Sequence, residues 1–207
     1  MTTPRSTLAM LAVAAAVLLS VRPAAAEEAA PPIHRTSAEV CSKCHWQIYL
    51  QWQASLHAQS TALSDPIHGA FYRKVVGDPR AAGVTLKGKF PICLQCHAPA
   101  AAIDGKTRID ADPAYQEGVT CVSCHTLTRY NGVTAPDGKL RLGMQAYDRS
   151  TTHLQGPTGG SAVVEKHPFP LAANGALLTG NGVCMGCHDR RNNARGVPLC
   201  RTGDEYA

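Results

Sequence analysis

One five-residue pattern, C-x-x-C-H, occurs four times in this chain, as "CSKCH" (41–45), "CLQCH" (93–97), "CVSCH" (121–125) and "CMGCH" (184–188). This spacing is the attachment signature of c-type haem. The two thiols add across the two vinyl groups on one edge of the porphyrin. The next residue is then carried over the ring, where its imidazole can bind the iron. A chain that wraps four such macrocycles is strongly restricted in how it can fold.

Other uses of cysteine fit the pattern less well. A C-x-x-C pair also serves zinc sites and thioredoxin-like redox sites, and cysteines of an exported chain often form disulfides. None of these needs a histidine at the same offset in every copy, so the pattern predicts four covalently bound haems. The predicted attachment residues are Cys41, Cys44, Cys93, Cys96, Cys121, Cys124, Cys184 and Cys187, and the predicted proximal ligands are His45, His97, His125 and His188. Cys200 is left as a free thiol or, alternatively, an intermolecular disulfide partner.

The composition agrees with a haem-filled interior. Aromatic residues make up only 5% of the chain, which has three phenylalanines but 18 glycines and 14 prolines. Such a chain has too few large side chains for an ordinary core. We therefore predict a mostly α fold with much irregular loop, in which short helices surround a haem-packed core.

The N-terminus predicts export. Residues 1–26 combine Arg5, a short apolar run and "AAA" before Glu27, which is typical of a cleaved signal peptide, with an uncleaved anchor as the alternative. Residues 27–207 then form one tetrahaem cytochrome domain, and no later segment is apolar enough to cross a membrane. The net charge of +5 falls to +3 without Arg5 and Arg22, which is too mild to indicate nucleic-acid binding.

Periodicity predicts few elements between the motifs. Residues 42–63 contain no proline or glycine and are predicted as one helix. A shorter helix is expected within 65–79, between proline-containing turns. Residues 93–107 are expected to end the second site in a loop. Residues 126–183 are expected to be irregular, with a small hairpin around 131–142.

Each iron needs a second axial ligand. The other histidines are His34, His57, His68, His153 and His167, and Met144 and Met185 are the methionines of the mature chain. Histidine is therefore the favoured distal ligand, which favours low potentials. We expect His34 to be a surface residue and His68 to be structural or exposed, and we predict His57, His153 and His167 as ligands.

His57 is predicted to bind an iron other than that of His45. If residues 45–57 form one helix, the two histidines lie roughly 18 Å apart along its axis and about 120° apart around it. Two ligands of one iron must face each other across it, and a straight helix cannot present both in that way. A solvent-facing His57 on a polar helix is the alternative.

These stretches together resemble the multihaem cytochrome c-554 family, whose type member is a tetrahaem electron carrier. The resemblance rests on "CSKCHWQIYLQWQASLHAQS", "CLQCHAP", "GVTCVSCHT", "TTHLQG" and the last C-x-x-C-H, in that order. It implies a helical, haem-packed electron carrier of the periplasm. It also implies that His57 ligates the third haem, that His153 ligates the first, and that the second haem lacks a distal protein ligand.

The chain departs from this family after its last motif. The type member takes the distal ligand of its fourth haem from that region, but no histidine follows His188 here. We therefore predict His167 for the fourth haem, with His68 as the alternative and an absent ligand as a third. The C-terminal stretch 187–207 resembles the middle of longer cytochromes of this type, which continue into further haem sites.

Three functions fit these features. The favoured one is an electron-transfer protein, not an enzyme, that serves unidentified redox partner proteins through mainly bis-histidine haems. The second is an enzyme that reduces a small nitrogen species at a five-coordinate haem, because an open iron is where a haem reacts. The third is an electron-transfer subunit of a larger multihaem respiratory complex.

Overall fold

The computed structural model describes residues 31–157, 167–189, 191–192, 198–200 and 202, with 191–192 and 198–200 as backbone only. The predicted signal peptide at 1–26 and the thiol of Cys200 lie outside the described part. The chain divides into two units, residues 1–30 and residues 31–207, and all described residues belong to the second.

The described residues form short helices joined by loops, as predicted. The helices are α1 Ala38–Ser42, α2 Trp46–Gln53, α3 Pro66–Val75, α4 Leu94–His97, α5 Pro99–Ile103, α6 Pro113–Gln116, α7 Cys121–His125, α8 Gly175–Leu178 and α9 Gly182–His188. Three-residue to four-residue 3₁₀ helices occur at Ile33–Arg35, Ile109–Ala111 and Gly143–Ala146. In the described part of the chain, no helix is long and apolar enough to span a bilayer.

The helix predicted over 42–63 is interrupted. Helix α2 ends at Gln53, so His57 lies in a turn and not on a helix with His45. The side chain of Ser55 donates to the Trp52 carbonyl oxygen over 2.7 Å and its amide donates over 2.8 Å, which closes the last turn with i→i+3 bonds. The single-helix premise for His57 is therefore wrong.

The next two predictions have opposite outcomes. Helix α3 is confirmed: Asp65 caps it by accepting from the amides of Ile67 and His68 over 2.8 and 3.0 Å, and Pro66 occupies the first turn. The loop predicted after the second motif is wrong, because "PAAAI" forms α5 with a proline in its first turn. Alanine has the highest helix propensity of any residue, and the loop prediction gave too little weight to three alanines in a row.

The strands form three two-stranded pairs among the described residues. They are β1 Leu127–Tyr130 with β2 Tyr147–Arg149 (antiparallel), β3 Leu154–Gly156 with β4 Leu171–Ala173 (parallel), and β5 Arg191–Asn192 with β6 Pro198–Cys200 (antiparallel). The predicted hairpin around 131–142 is present as a bridge between Thr134 and Leu140. The region 126–183 therefore contains more strand than the sequence indicated.

Small side chains dominate the protein interior. The largest buried cluster contains six alanines, together with Tyr72, Leu94, Ile109 and Tyr115. An interior of this kind buries little apolar area for its length, and hydrophobic stabilisation is proportional to that area. The predicted shortage of large core residues is therefore real in the folded protein.

Candidate haem sites

Each C-x-x-C-H motif lies on or beside one helical turn. The second, third and fourth motifs end α4, α7 and α9 at their histidines, whereas the first begins in α1 and runs into the turn before α2. The amide of His45 donates to the Cys41 carbonyl over 2.9 Å, and that of His97 donates to the Cys93 carbonyl over 3.0 Å. The eight motif cysteines are free thiols. A helical turn thus holds both thiols and the histidine of a motif within one compact unit.

Two of the motif histidines are oriented by backbone carbonyls. Nδ1 of His125 donates to the Gln155 carbonyl oxygen over 2.7 Å, and Nδ1 of His97 donates to that of Ser60 over 2.9 Å. A carbonyl only accepts, so Nδ1 carries the proton and Nε2 keeps a lone pair. This is the tautomer and the outer hydrogen bond that metal-ligating histidines show.

The third motif contacts the first. The thiols of Cys41 and Cys121 hydrogen-bond to each other, which raises the pKa of Cys41 and lowers the pKa of Cys121. Before haem attachment these atoms are thiols, and in a c-type cytochrome they become thioether sulfurs. The attachment edges of the first and third haems would therefore be neighbours.

The third motif also lies near the fourth. Burial raises the pKa of Cys124 to about 11, and the nearby thiol of Cys184 adds to the effect. Burial raises the pKa of Tyr147, and the nearby thiols of Cys187 and Cys124 add to the effect. The third motif thus lies between the first and the fourth.

The 3₁₀ helix Gly143–Ala146 connects the fourth motif with the second. A Cβ on Gly143 would clash with the carbonyl of Gln95 in the second motif. A Cβ on Gly186, in the fourth motif, would clash with the Tyr147 ring and lie 2.9 Å from the Gly143 carbonyl oxygen. The motifs therefore follow one another in space in the order first, third, fourth, second, which differs from their order in the sequence.

The stretch 52–60 contacts the residues that lead into the third motif. The indole N–H of Trp52 donates to the Val119 carbonyl over 2.7 Å, and the Val119 amide donates to the His57 carbonyl over 3.0 Å. Gly118, with φ +70°, approaches the same backbone so closely that a Cβ there would clash with the His57 carbonyl. The backbone of His57 is therefore fixed against the approach to the third motif.

The ring of His57 faces the fourth motif. Its centroid lies 6.0 Å from that of His188, and the two ring planes are inclined by 53°. An iron bound by two imidazoles separates their centroids by about 6.2–6.4 Å, given Fe–N bonds of about 2 Å like other metal–imidazole bonds and about 1.1 Å from each nitrogen to its ring centre. The separation is close to that of an axial pair, so His57 is also a candidate distal ligand of the fourth haem. Its predicted assignment to the third haem stays a prediction.

The other two predicted distal ligands are His153 and His167. His153 is exposed, and its Nδ1 lies 2.7 Å from the Thr152 hydroxyl. Within the described residues no ring contact joins it to His45, so its assignment to the first haem stays a prediction. His167 is held by the Phe169 carbonyl over 2.8 Å, and Phe169 packs in a cluster with Val122 of the third motif. His167 also stays a prediction.

Two histidines expected to be exposed are not. His34 lies 2.9 Å from Asp104 with a side chain only 14% exposed. Burial alone would raise the pKa of Asp104, but hydrogen bonds from Arg35, Tyr115 and His34 outweigh it and lower that pKa. The expectation of a surface His34 is therefore wrong.

His68 is buried on α3, and burial together with His97 lowers its pKa. Its ring centroid lies 3.8 Å from that of His97, which is too close for an iron between them. The exposed expectation for His68 is wrong, and the structural one holds.

Exposed apolar side chains next to the histidines fit a porphyrin. Trp46 follows His45 and is 57% exposed, Leu56 precedes His57 and is 84% exposed, and Ile67 precedes His68 and is 82% exposed. Single exposed apolar side chains are common on protein surfaces, and a porphyrin lying against these three would bury their apolar area. In contrast, no three His, Cys, Asp or Glu side chains among the described residues converge as an ordinary metal site.

Comparison with known proteins identifies relatives of these sites. The family described as cytochrome c554 and c-prime matches residues 40–126, which contain the first three motifs. A solved structure, described as a penta-heme cytochrome c552 from Thermochromatium tepidum, is 50% identical with a TM-score of 0.78. The match covers 84% of this chain and 51% of that one, so the chain spans about half the length of that relative. A search of curated proteins found no match.

Sequence reasoning missed two residues that organise these sites. Ser60 supplies the carbonyl that accepts from His97, and the hydroxyl of Tyr147 accepts from the Gly186 amide over 2.7 Å inside the fourth motif. Both act across 37 or more positions of sequence. A serine that acts through its backbone carbonyl gives no signal in a single sequence. Tyr147 gives none either, because nothing in the sequence indicates that it contacts Gly186.

Proposed function

The chain belongs to the multihaem c-type cytochromes, and from that premise we propose that it is a periplasmic tetrahaem electron carrier between redox partner proteins. The observation that carries the proposal is the continuous series of contacts among its four motifs. Haems attached to neighbouring motifs would lie next to one another and could exchange electrons in sequence. The relative named above is described as penta-heme, whereas this sequence has four attachment motifs, so four is the proposed count.

The contacts support a path that runs from the first haem through the third and fourth to the second. The first and second sites would then be the two ends at which donor and acceptor proteins exchange electrons with the chain. Each redox partner would dock beside one of these ends. An electron would enter at one end and leave at the other without a bond being made or broken in the protein.

In the proposed ligand set, His188 and His57 would both bind the iron of the fourth haem. Two imidazoles favour a low potential, because an axial methionine would raise it. His45, His97 and His125 are the proximal ligands of the first, second and third haems. His153 and His167 are the proposed distal ligands for two of these three.

The place of His68 favours a second candidate function. His68 lies against His97 on the side of the shared Ser60 carbonyl, so it cannot be the ligand opposite His97 on the second haem. A second haem with an open iron could bind and reduce a small nitrogen species such as nitric oxide. The length of the penta-heme relative is compatible with the remaining candidate, an electron-transfer part of a larger multihaem assembly.

Intact mass and EPR of the exported protein test the proposal. We expect a polypeptide beginning at Glu27 with a mass greater by about four haem masses. We also expect mainly low-spin irons in the oxidised state, and reduction by a low-potential donor that a second protein can reoxidise. As a matched control, Cys184→Ala with Cys187→Ala should lower the mass by one haem.

Three outcomes would count against the proposal. Three or fewer haems in fully matured protein would refute the tetrahaem count. Retention of residues 1–26 would contradict cleavage of the predicted signal peptide. Turnover of nitric oxide at a high-spin iron would favour the enzyme over the carrier.

A further inference from the structure

Two imidazoles share one carbonyl oxygen at the second haem motif. Nδ1 of His97 lies 2.9 Å and Nδ1 of His68 lies 3.0 Å from the carbonyl oxygen of Ser60. A carbonyl oxygen has two lone pairs and no hydrogen, so both histidines must donate. His97 therefore shares its acceptor with His68.

The third motif provides the contrasting case within the same protein. Nδ1 of His125 donates to the Gln155 carbonyl over only 2.7 Å. The parallel ladder of β3 and β4 uses Leu154, which donates to Pro170, and Gly156, which accepts from Asn174. Alternate residues of a strand form the ladder, so the Gln155 carbonyl points away from β4 and towards His125. Among the described residues, His125 thus has this carbonyl without a second imidazole.

His68 is held firmly in this position. It lies in the first turn of α3, whose start is fixed by the Asp65 cap. The residue is only 9% exposed, and its ring meets that of Tyr72 edge-on at 5.8 Å. Its Nε2 is buried without a hydrogen-bond partner in the described residues, so Nδ1 makes the hydrogen bond that orients the ring.

The outer hydrogen bond of a ligating histidine tunes its iron. A stronger bond from Nδ1–H makes the imidazole more basic, which stabilises the ferric state and lowers the potential. Two N–H groups that draw on one oxygen each form a weaker bond than either would alone. We propose that His68 is a positioning residue that weakens the His97–Ser60 hydrogen bond and thereby raises the potential of the second haem.

This inference rests on the proposed function, since it assumes a haem on Cys93 and Cys96 with His97 as its ligand. It concerns the reduction potential of one haem relative to those of the others, and not whether the protein carries electrons. A higher potential at the second haem would make it the terminal electron acceptor of the path from the first, third and fourth haems. The direction of transfer within the chain would then depend in part on a residue that binds no iron.

Two substitutions at one position test the inference. His68→Phe keeps the ring and its packing but removes the donor. In His68→Asn the amide nitrogen can occupy the place of Nδ1 and keep the donor, while Nε2 is lost. The potentials are measured by redox titration followed by NMR of the haem methyl groups, with the second haem assigned through its contacts to Ser60 and His97. The third haem, on His125, is the internal reference.

We expect a lower potential of the second haem in His68→Phe, a potential near that of the parent protein in His68→Asn, and no shift at the third haem. An unchanged or higher potential in His68→Phe would overturn the inference, as would equal shifts in both variants. Loss of a low-spin iron in both would show that His68 is itself a ligand, which also overturns it. Intact mass separates these outcomes from failure of the proposed function, because a missing haem would be seen directly.

Discussion

Replacement of His57 by alanine should convert one iron from low-spin to high-spin. The 6.0 Å between the His57 and His188 ring centroids is within about 0.4 Å of the separation that an iron between two imidazoles requires. The substitution removes the imidazole but not the backbone, which Val119 holds through the His57 carbonyl. The haem should therefore stay attached and lose one axial ligand.

The size of the effect follows from the haem count. One of four irons changes, so about a quarter of the total iron should appear as a high-spin EPR signal in the oxidised protein. Added imidazole should restore the low-spin state by occupying the space of the missing side chain. His34→Ala is the matched control, because His34 binds Asp104 and should leave the spectrum unchanged.

The identity of the affected haem separates the two assignments of His57. In a background that lacks the fourth haem through Cys184→Ala and Cys187→Ala, His57→Ala should cause no further change, as expected when two substitutions act on one site. If His57 instead served the third haem, a new high-spin iron would still appear in that background. An unchanged spectrum in the single variant would show that His57 is no ligand at all.

Three further predictions concern stability. Tyr147→Phe should lower the free energy of unfolding by about 1–3 kcal/mol, because it removes a hydroxyl that accepts from the Gly186 amide over 2.7 Å and donates to the Val183 carbonyl over 2.8 Å. Equal denaturation midpoints for both proteins would contradict this. Gly186→Ala should lower the same free energy by about 1–3 kcal/mol, because the added methyl group would overpack against the Tyr147 ring. Gly138→Ala is the comparison: no atom lies within 4 Å of its Cβ position, so it measures the cost of a positive φ alone. Hydrogen bonds from its neighbours outweigh burial and hold the pKa of Asp104 below its ordinary value, so its stabilisation is complete above about pH 4 and is lost as pH falls through the lowered pKa. Asp104→Asn should therefore flatten the acid limb of the stability profile, and an equally steep limb in the variant would refute this.

The sequence predicts the haem attachment sites because each one is local. Two thiols and a proximal histidine lie within five residues, as in "CVSCH", and a single helical turn such as α7 is enough to present them. The same locality explains why α3 was predicted correctly, since Asp65 and Pro66 determine its start by short-range contacts. The scarcity of large side chains also indicated a haem-packed interior.

The distal ligands and the order of the haems depend on contacts between residues far apart in the chain. The pairing of His57 with His188 spans more than a hundred residues, and helix α2 ends before His57 where Trp52 and Val119 bind each other. No periodicity in the sequence records such contacts. The sequence alone therefore determined the four attachment motifs and the short helical turns that carry them. Tertiary packing decided which histidines lie together and how the motifs follow one another, because these are matches between surfaces that meet only after the chain has folded.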